Sequence, residues 1–215
     1  MPAKPMLPAQ TCNVIVRSLH RNDWPVIETL FGAKGACGGC WCMYWRVQKG
    51  GRTWDAVRGE PARQGFQELV ESGRVNGLLA FAGEEPIGWA CIGPYGEFPR
   101  LATVRALARS RPAGTWSVTC FYISSRWRKR GVGTKLLRAC IKLAEANGAK
   151  VLEGYPVPVK SASALPGAFA WTGVPAMFAK ANFCALGSSH AGRQVWVHKL
   201  SRKSSRLSAS HPRSK

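Results

Sequence analysis

Short runs of apolar, β-branched and aromatic residues recur along the chain and predict seven strands. They cover residues 11–19, 77–82, 87–93, 116–123, 150–155, 183–187 and 194–200. The turn-rich string Gly83-Glu84-Glu85-Pro86 joins the second and third strands, which predicts an antiparallel hairpin. The run at 116–123 is the strongest of the seven, and its almost unbroken apolar character suits a strand buried on both faces.

Apolar residues at helical spacing predict four helices, at residues 24–31, 61–71, 133–147 and 175–181. Asp23 is a candidate N-cap for the first helix, with Pro25 near its first position. Gly148 provides a left-handed stop after the third. Residues 94–115 show no clear period. The order of elements predicts an α/β or α+β fold, with a mixed sheet of six to seven strands flanked by helices.

The length of 215 residues suits one domain, which we place at residues 11–200. Residues 1–10 form a proline-interrupted lead-in, and residues 201–215 form a basic tail that we expect to be disordered. We expect no membrane span, because no run of about 18 apolar residues occurs. The N-terminus lacks the apolar core of a secretory signal, so we expect a cytoplasmic protein whose eight cysteines are reduced.

The formal charge of +20 is the most unusual bulk property of the chain. A protein this basic attracts polyanions, which include nucleic acid, an anionic membrane surface and a phosphorylated cofactor. Charge alone does not choose among these partners. The arrangement of the cations along the sequence distinguishes these partners better.

Four cations cluster at the junction between the strongest strand and the helix at 133–147. Arg126 precedes the string Arg128-Lys129-Arg130-Gly131-Val132-Gly133, which opens the helix. A helix N-terminus offers free N–H groups and a partial positive charge, and glycines let a phosphate approach the backbone. The string is not a P-loop, and Leu136 stands where a dinucleotide fingerprint needs its third glycine. The junction therefore predicts a pyrophosphate site of another kind.

Arg-x-x-Gly-x-Gly in this position resembles the acetyl-CoA signature of the GNAT acyltransferases, and the order of elements resembles that fold over about residues 11–200. The segments Cys37–Arg46 and Glu153–Pro156 look like those of a poorly characterised bacterial branch of the superfamily. The resemblance implies acetyl-CoA as co-substrate and an amine as acceptor. A homodimer is one possible assembly.

In GNAT enzymes the fourth strand diverges from the fifth, and the pantetheine of the cofactor pairs with the exposed edge. By this resemblance, the main chain of Phe121, Tyr122 and Ile123 would hold the pantetheine. The pyrophosphate would be wrapped by the main-chain amides and basic side chains of a seven-residue segment. This segment consists of Arg128, Lys129, Arg130, Gly131, Val132, Gly133 and Thr134.

The sequence offers fewer candidates for catalytic residues than for residues that bind the cofactor. Many relatives carry a tyrosine acid in the late helix, but Phe178 stands at the matching position and has no proton to give. Tyr155 or water is then the candidate acid. Glu153, near the end of the fifth strand, is the leading candidate base, with a structural ion pair to arginine as the competing role. Glu97 is a weaker candidate.

The spacing of Cys37, Cys40 and Cys42 could supply three zinc ligands, but no fourth ligand is adjacent, so loop packing is preferred and no metal is expected. The aromatic residues that follow could line the acceptor pocket or belong to the core. They are Trp41, Tyr44 and Trp45, followed by Arg46.

The sequence thus predicts an acetyl-CoA-dependent N-acyltransferase that acts on a small-molecule amine by direct attack in a ternary complex. Two alternatives stay open, a basic nucleic-acid-binding protein and a cysteine-ligated metal module. Against nucleic acid, the cations lie at a helix start, and no helix-turn-helix or zinc-finger spacing occurs. A protein lysine remains a further candidate acceptor.

Overall fold

The computed structural model describes residues 13–47, 51–157, 170–187 and 193–201. The predicted lead-in and all but the first residue of the predicted tail lie outside the described residues, so the domain limits stay predictions.

A single mixed sheet of seven strands forms the centre of the described chain. The strands are β1 (Val14–Ser18), β2 (Asn76–Ala82), β3 (Glu85–Pro94), β4 (Thr115–Ile123), β5 (Val151–Gly154), β6 (Cys184–Ala185) and β7 (Trp196–Lys199). They lie in the order β1-β2-β3-β4-β5-β7-β6. All seven predicted strands are present, although β6 is only two residues long and the predicted run there was five.

The helices are α1 (Trp24–Phe31), α2 (Gly51–Val57), α3 (Glu60–Glu71), α4 (Arg100–Thr103), α5 (Val132–Ala146) and α6 (Pro175–Ala179). The prediction missed α2 and α4, which are short and whose sequences show no extended apolar stripe. Among the described residues, none of these helices has the length and apolar character needed to span a bilayer.

Every neighbouring pair of strands is antiparallel except β4 and β5. These two run parallel because α5 carries the chain back across the sheet between them, as a parallel connection requires. The predicted hairpin is confirmed, since Ala82 of β2 pairs with Glu85 of β3. The parallel pair matters for function because it sets where the two strands can separate.

Helices cover both faces of the sheet, and each face has its own apolar core. On one face α1 and α3 pack against β3 through residues such as Ile27 and Phe66. On the other face α5 and α6 pack through residues such as Leu136 and Phe178. The first seven residues of β4 are buried between these layers, which confirms the prediction that this strand is buried on both faces.

A bulge at Thr119 reverses the orientation of the side chains along β4. Cys91 pairs with Cys120, while the next residue of β3 pairs with Val118, so Thr119 has no partner in β3. Val118 and Phe121 therefore face the same core beneath α5 although they are three residues apart. The bulge turns the second half of β4 relative to the first.

The Asp23 side chain does not cap α1, contrary to the prediction. Asp23 occupies the N-cap position but makes no capping hydrogen bond with its side chain. Its carboxylate instead accepts hydrogen bonds from both terminal nitrogens of Arg17, at 2.6 and 2.8 Å. It also accepts one from the backbone N–H of His20, at 2.6 Å. The Arg17 hydrogen bonds are the main reason that the pKa of Asp23 lies below its usual value. Asp23 thus ties the end of β1 to the start of α1.

Candidate functional site

The N-terminus of α5 has the uncapped form that the sequence predicts. Gly131 is the N-cap residue in the left-handed conformation, with φ of 79°, and it provides no side chain to bond the first turn. The first helical hydrogen bond runs from Lys135 N–H to Gly131 C=O, at 3.1 Å. The amides of Val132, Gly133 and Thr134 therefore have no partner within the helix. A Cβ built on Gly131 would meet no atom within 4 Å, so the space above this turn is open.

The cations before this turn are exposed, and their contacts differ. Arg128 donates its Nε to the carbonyl of Ile123 at 3.0 Å, which links the loop to the end of β4. The Arg130 guanidinium lies over the ring of Trp127, with 5.5 Å between its Cζ and the ring centre. Arg126 pairs with Glu85, the first residue of β3, at 2.5 Å. The predicted set Arg128, Lys129 and Arg130 thus surrounds the open turn, while Arg126 is held by a carboxylate.

Close packing against α6 accounts for the glycine at position 133. A Cβ on Gly133 would lie 2.7 Å from the Met177 sulfur, so α6 approaches the first turn of α5 closely. The sequence predicts the same role for Gly131 and Gly133, which is to let a phosphate approach the backbone closely. The structure separates the two glycines, because only Gly131 borders open space.

β4 and β5 part after four pairs, and the separation creates an unpaired strand edge. The last pair is Val118 with Gly154, and β4 then continues through Thr119–Ile123 with no β5 partner. The predicted pantetheine residues Phe121, Tyr122 and Ile123 lie in this continuation. In this structure the edge is not free along its whole length, because Phe121 N–H donates to the carbonyl of Trp171 at 2.6 Å.

The turn that reaches this edge packs closely. Thr172 is fully buried. A Cβ on Gly173 would lie 2.5 Å from the end of Met177 and 2.8 Å from the Phe178 ring. The segment from Trp171 to Gly173 therefore covers the same strand edge that the resemblance assigns to pantetheine. No pattern in the sequence predicts this contact.

Glu153 is completely buried and holds two arginines. Arg109 binds one carboxylate oxygen at 2.5 Å and Arg111 binds the other at 2.8 Å, and the Arg111 side chain is itself only 4% exposed. This is the ion-pair environment that the sequence argument kept as the competing role. Oε1 accepts from Arg109 and Oε2 accepts from Arg111, so the carboxylate is engaged by two cations, as a structural ion pair requires.

Tyr155 lies beside Glu153 at the point where the strands separate. Its hydroxyl is 2.7 Å from the Ser117 hydroxyl and 3.1 Å from Glu153 Oε2, where it donates. Burial is the main cause that raises the pKa of Tyr155 above its usual value, so its phenol stays protonated at neutral pH. The structure brings Glu153 and Tyr155 together in one hydrogen-bonded network.

Phe178, at the position where relatives carry a tyrosine, is an apolar core residue. Its ring fills the space over Gly154, where a Cβ would lie 2.0 Å from a ring carbon. It also makes edge contacts with Phe121 and Phe183. Glu97, the weaker carboxylate candidate, binds Arg46 at 2.9 Å.

The three cysteines at 37–42 differ in environment. Cys37 is exposed, Cys40 is half-buried and Cys42 is buried, and the described cysteines form no disulfide. The Cys42 sulfur accepts the indole N–H of Trp89 at 3.0 Å, which fixes it in the core beneath α1. Within the described part of the chain, no three His, Cys, Asp or Glu side chains are grouped to hold a metal ion.

Aromatic residues from distant parts of the chain meet beside Trp171. Tyr44 contacts Trp45, Trp54 and Trp171, with ring centres 5.1 to 5.4 Å apart. Trp41 lies elsewhere, buried against α1 and its neighbours. Sequence reasoning found Tyr44 and Trp45, but Trp54 and Trp171 lie in segments without a recognisable pattern.

Comparisons with known proteins agree with this architecture. Residues 43–156 match the model of the acetyltransferase (GNAT) family, a little over half of the chain. Among curated proteins, no sequence matches.

Solved structures share the fold at low sequence identity. An N-acetyltransferase from Staphylococcus aureus Mu50 is 15% identical with a TM-score of 0.51, over 88% of this chain and 99% of that one. The yncA protein of Salmonella typhimurium, solved with its cofactor acetyl-CoA, is 12% identical with a TM-score of 0.52, over 89% and 96%. The PaiA N-acetyltransferase from Thermoplasma acidophilum, in complex with coenzyme A, is 14% identical with a TM-score of 0.50, over 87% and 99%.

The family model and the shared fold confirm the expectation drawn from the Arg-x-x-Gly-x-Gly string and the order of elements. This chain belongs to the GNAT family of acetyltransferases.

Proposed function

We propose that this protein is an acetyl-CoA-dependent N-acetyltransferase that acts on an amine of a small molecule by direct attack in a ternary complex. One observation carries the proposal: an uncapped, glycine-started helix follows, after one short loop, the strand that separates from its parallel neighbour. The free amides of α5 and the unpaired edge of β4 are thus next to each other in the sequence and in space.

The residues around the turn fit a diphosphate. The amides of Val132, Gly133 and Thr134 point out of the helix start, where the helix dipole favours an anion. Arg128, Lys129 and Arg130 are exposed beside them and add positive charge. The open space over Gly131 leaves the first turn accessible.

The edge of β4 would hold the pantetheine by backbone hydrogen bonds, as the resemblance implies for Phe121, Tyr122 and Ile123. Acetyl-CoA supplies a thioester carbonyl that an amine can attack. The N–H of Phe121 becomes available only when its hydrogen bond to Trp171 breaks. The segment around Trp171 therefore has to move before the pantetheine can bind along the whole strand edge.

For proton transfer we propose a divided role for the buried network. Tyr155 holds a proton on its hydroxyl next to the strand separation and gives it to the departing thiolate of coenzyme A. Glu153, fixed by Arg109 and Arg111, accepts the Tyr155 hydrogen bond and orients the phenol. The ammonium group of the acceptor loses one proton to solvent before the attack, and the nitrogen loses a second on forming the amide, which restores the phenol. The balance is one proton released per acetyl group transferred.

The nucleic-acid alternative has weaker support from the geometry. The exposed cations lie around one helix start, whereas a groove-reading helix or a basic stripe would distribute them along a face. The metal alternative has no cluster of ligands in the described residues.

Thermal unfolding in the presence of each partner distinguishes these functions. We expect acetyl-CoA and coenzyme A to raise the melting temperature at moderate ionic strength, because a ligand that binds only the folded state stabilises it. Duplex DNA at the same salt concentration is expected to leave it unchanged. Stabilisation by DNA alone would contradict the proposal, and so would stoichiometric zinc whose removal unfolds the protein.

A further inference from the structure

A cluster of aromatic rings and arginines lies beside the strand separation, and the mechanism above does not use it. Its members come from four separate parts of the chain. The rings of Tyr44, Trp45 and Trp171 contact one another, and the guanidinium groups of Arg100 and Arg193 lie over these rings. Arg46 follows Trp45 directly in the chain.

Three N–H donors in this cluster are buried and have no acceptor among the described residues. They are Trp45 Nε1, Arg46 Nε and Arg100 Nη1. Buried donors are satisfied in the great majority of cases, so three unsatisfied ones within neighbouring residues are unusual. Each of the three is a donor, and the group that would satisfy them is therefore rich in acceptor oxygens.

Two of the arginines also lack a counter-charge. Arg46 is paired with Glu97, but no Asp or Glu lies within ion-pair distance of Arg100 or Arg193, and all the acidic residues of the chain lie among the described residues. Burial is the main cause that lowers the pKa of Arg193. An arginine that is partly buried without a carboxylate is costly unless a ligand supplies the anion.

Both guanidinium groups are held in place by aromatic rings. Arg100 lies 4.0 Å from the ring centre of Tyr44. Arg193 lies 5.2 Å from the ring centre of Trp171 and 5.8 Å from that of Trp45. Both residues are half-buried, so a small molecule can reach them from solvent. Stacked arginines of this kind are suited to planar, bidentate recognition of an oxyanion.

The cluster also adjoins the candidate chemical centre. Arg193 donates to the Thr172 hydroxyl at 2.8 Å and to the Tyr155 carbonyl at 3.4 Å. Trp171, whose ring packs in the cluster, contacts the β4 edge through its carbonyl. A molecule bound at Arg193 would therefore lie next to both Tyr155 and the unpaired strand edge.

We propose that Arg100 and Arg193 bind a carboxylate of the acyl acceptor, and that the acceptors of this enzyme are amines that carry a carboxylate, such as amino acids. The neighbouring rings would contact the apolar part of the molecule. This inference rests on the proposed acetyltransferase function and names the substrate class of the same site.

The test compares amines that differ only in the carboxylate. Coenzyme A release from acetyl-CoA is measured by chromatography with phenylalanine against phenylalaninamide and with methionine against methioninamide. A comparison of the rates with phosphoethanolamine and β-alanine shows whether the enzyme prefers a phosphate or a carboxylate on the amine. We expect kcat/KM to be at least tenfold higher for the carboxylates in each pair.

Variants then connect this preference to the two arginines. Arg193→Gln and Arg100→Gln are each expected to raise KM for the amino acid by about ten- to a hundredfold, the value of a charge-assisted hydrogen bond, and to change KM for the amide little. Arg105→Gln, an exposed arginine close in sequence, removes the same charge and is expected to change neither. Arg193→Lys, which keeps the charge, covers the case in which Arg193→Gln fails to fold.

The possible outcomes separate this inference from the function on which it rests. If acetyl-CoA binds and the amides or phosphoethanolamine are acetylated as well as their carboxylate partners, the inference is overturned and the acetyltransferase function stands. The same holds if acetyl-CoA binds and no carboxylate-bearing amine of the panel either reacts or binds in a calorimetric titration. If acetyl-CoA itself does not bind, the proposed function fails first.

Discussion

The backbone N–H of Phe121 donates a 2.6 Å hydrogen bond to the carbonyl of Trp171, in the part of β4 that no longer pairs with β5. A loop carbonyl thus occupies a donor that the resemblance assigns to the pantetheine of acetyl-CoA. The Trp171 ring is held in turn by Tyr44 and Trp45, with ring centres 5.4 and 5.6 Å away. The strand edge and the aromatic cluster are therefore linked through one residue.

If the Trp171 carbonyl competes with pantetheine, loosening its segment should strengthen acetyl-CoA binding. Trp171→Ala removes the ring contacts that hold the segment in place. We expect the Kd for acetyl-CoA to fall by about two- to tenfold, the value of one net backbone hydrogen bond, while the melting temperature falls. Isothermal titration calorimetry in the absence of an acyl acceptor measures the Kd for acetyl-CoA.

Trp54→Ala is the matched control for that experiment. Trp54 contacts the same Tyr44 ring at 5.1 Å but belongs to α2 and not to the segment that bonds β4. It should lower stability without strengthening acetyl-CoA binding. A higher Kd in Trp171→Ala would mean that the segment helps to bind the co-substrate, and the competition would then be refuted.

The role of Tyr155 as proton donor is tested by removing its hydroxyl alone. Tyr155→Phe keeps the ring, and we expect kcat to fall by about 10² or more, the usual contribution of a general acid, with acetyl-CoA affinity unchanged. Because burial raises the pKa of Tyr155, the acid form persists at high pH, and the wild-type kcat should not decline through loss of this proton below about pH 10.

Ser117→Ala removes the other hydroxyl of the same network and serves as the control. Ser117 lies 2.7 Å from the Tyr155 oxygen and is buried to the same extent. The two variants should lose similar stability, about 1–2 kcal/mol, but only Tyr155→Phe should lose turnover. Equal losses of kcat in both would assign the network a structural role.

Glu153 is expected to matter for stability as well as for rate. Glu153→Gln leaves Arg111 buried without a counter-charge, and breaking a buried ion pair in this way costs about 3–5 kcal/mol. Urea unfolding measures the loss. A variant of wild-type stability with strongly reduced turnover would instead indicate that Glu153 is the base itself, as the sequence argument first proposed.

The framework of the fold could be predicted from the sequence because its signals are local. A continuous β-branched run specified β4, an amphipathic stripe ended by Gly148 specified α5, and a glycine-containing turn specified the hairpin. The short helices α2 and α4 could not be predicted, since helices of this length depend on tertiary contacts more than on propensity.

The candidate site divides in the same way. Gly131 and the cations around it were found because a helix start is a local feature with a chemical consequence. The bond from Phe121 to Trp171, the two arginines on Glu153 and the approach of Arg193 to Trp45 join residues about 40 to 150 positions apart. No spacing in the sequence records such contacts.

The most direct test of the acetyl-CoA site is a calorimetric titration of coenzyme A into the wild type, Gly131→Asn and Gly148→Asn. Both glycines have positive φ, 79° and 73°, with open space around a Cβ, and asparagine tolerates this conformation. Both variants should therefore fold. We predict that Gly131→Asn, which places a side chain over the first amides of α5, raises the Kd for coenzyme A more than tenfold, while Gly148→Asn, beyond the opposite end of α5, leaves it unchanged. An unchanged Kd in Gly131→Asn would contradict binding of the diphosphate at this helix start.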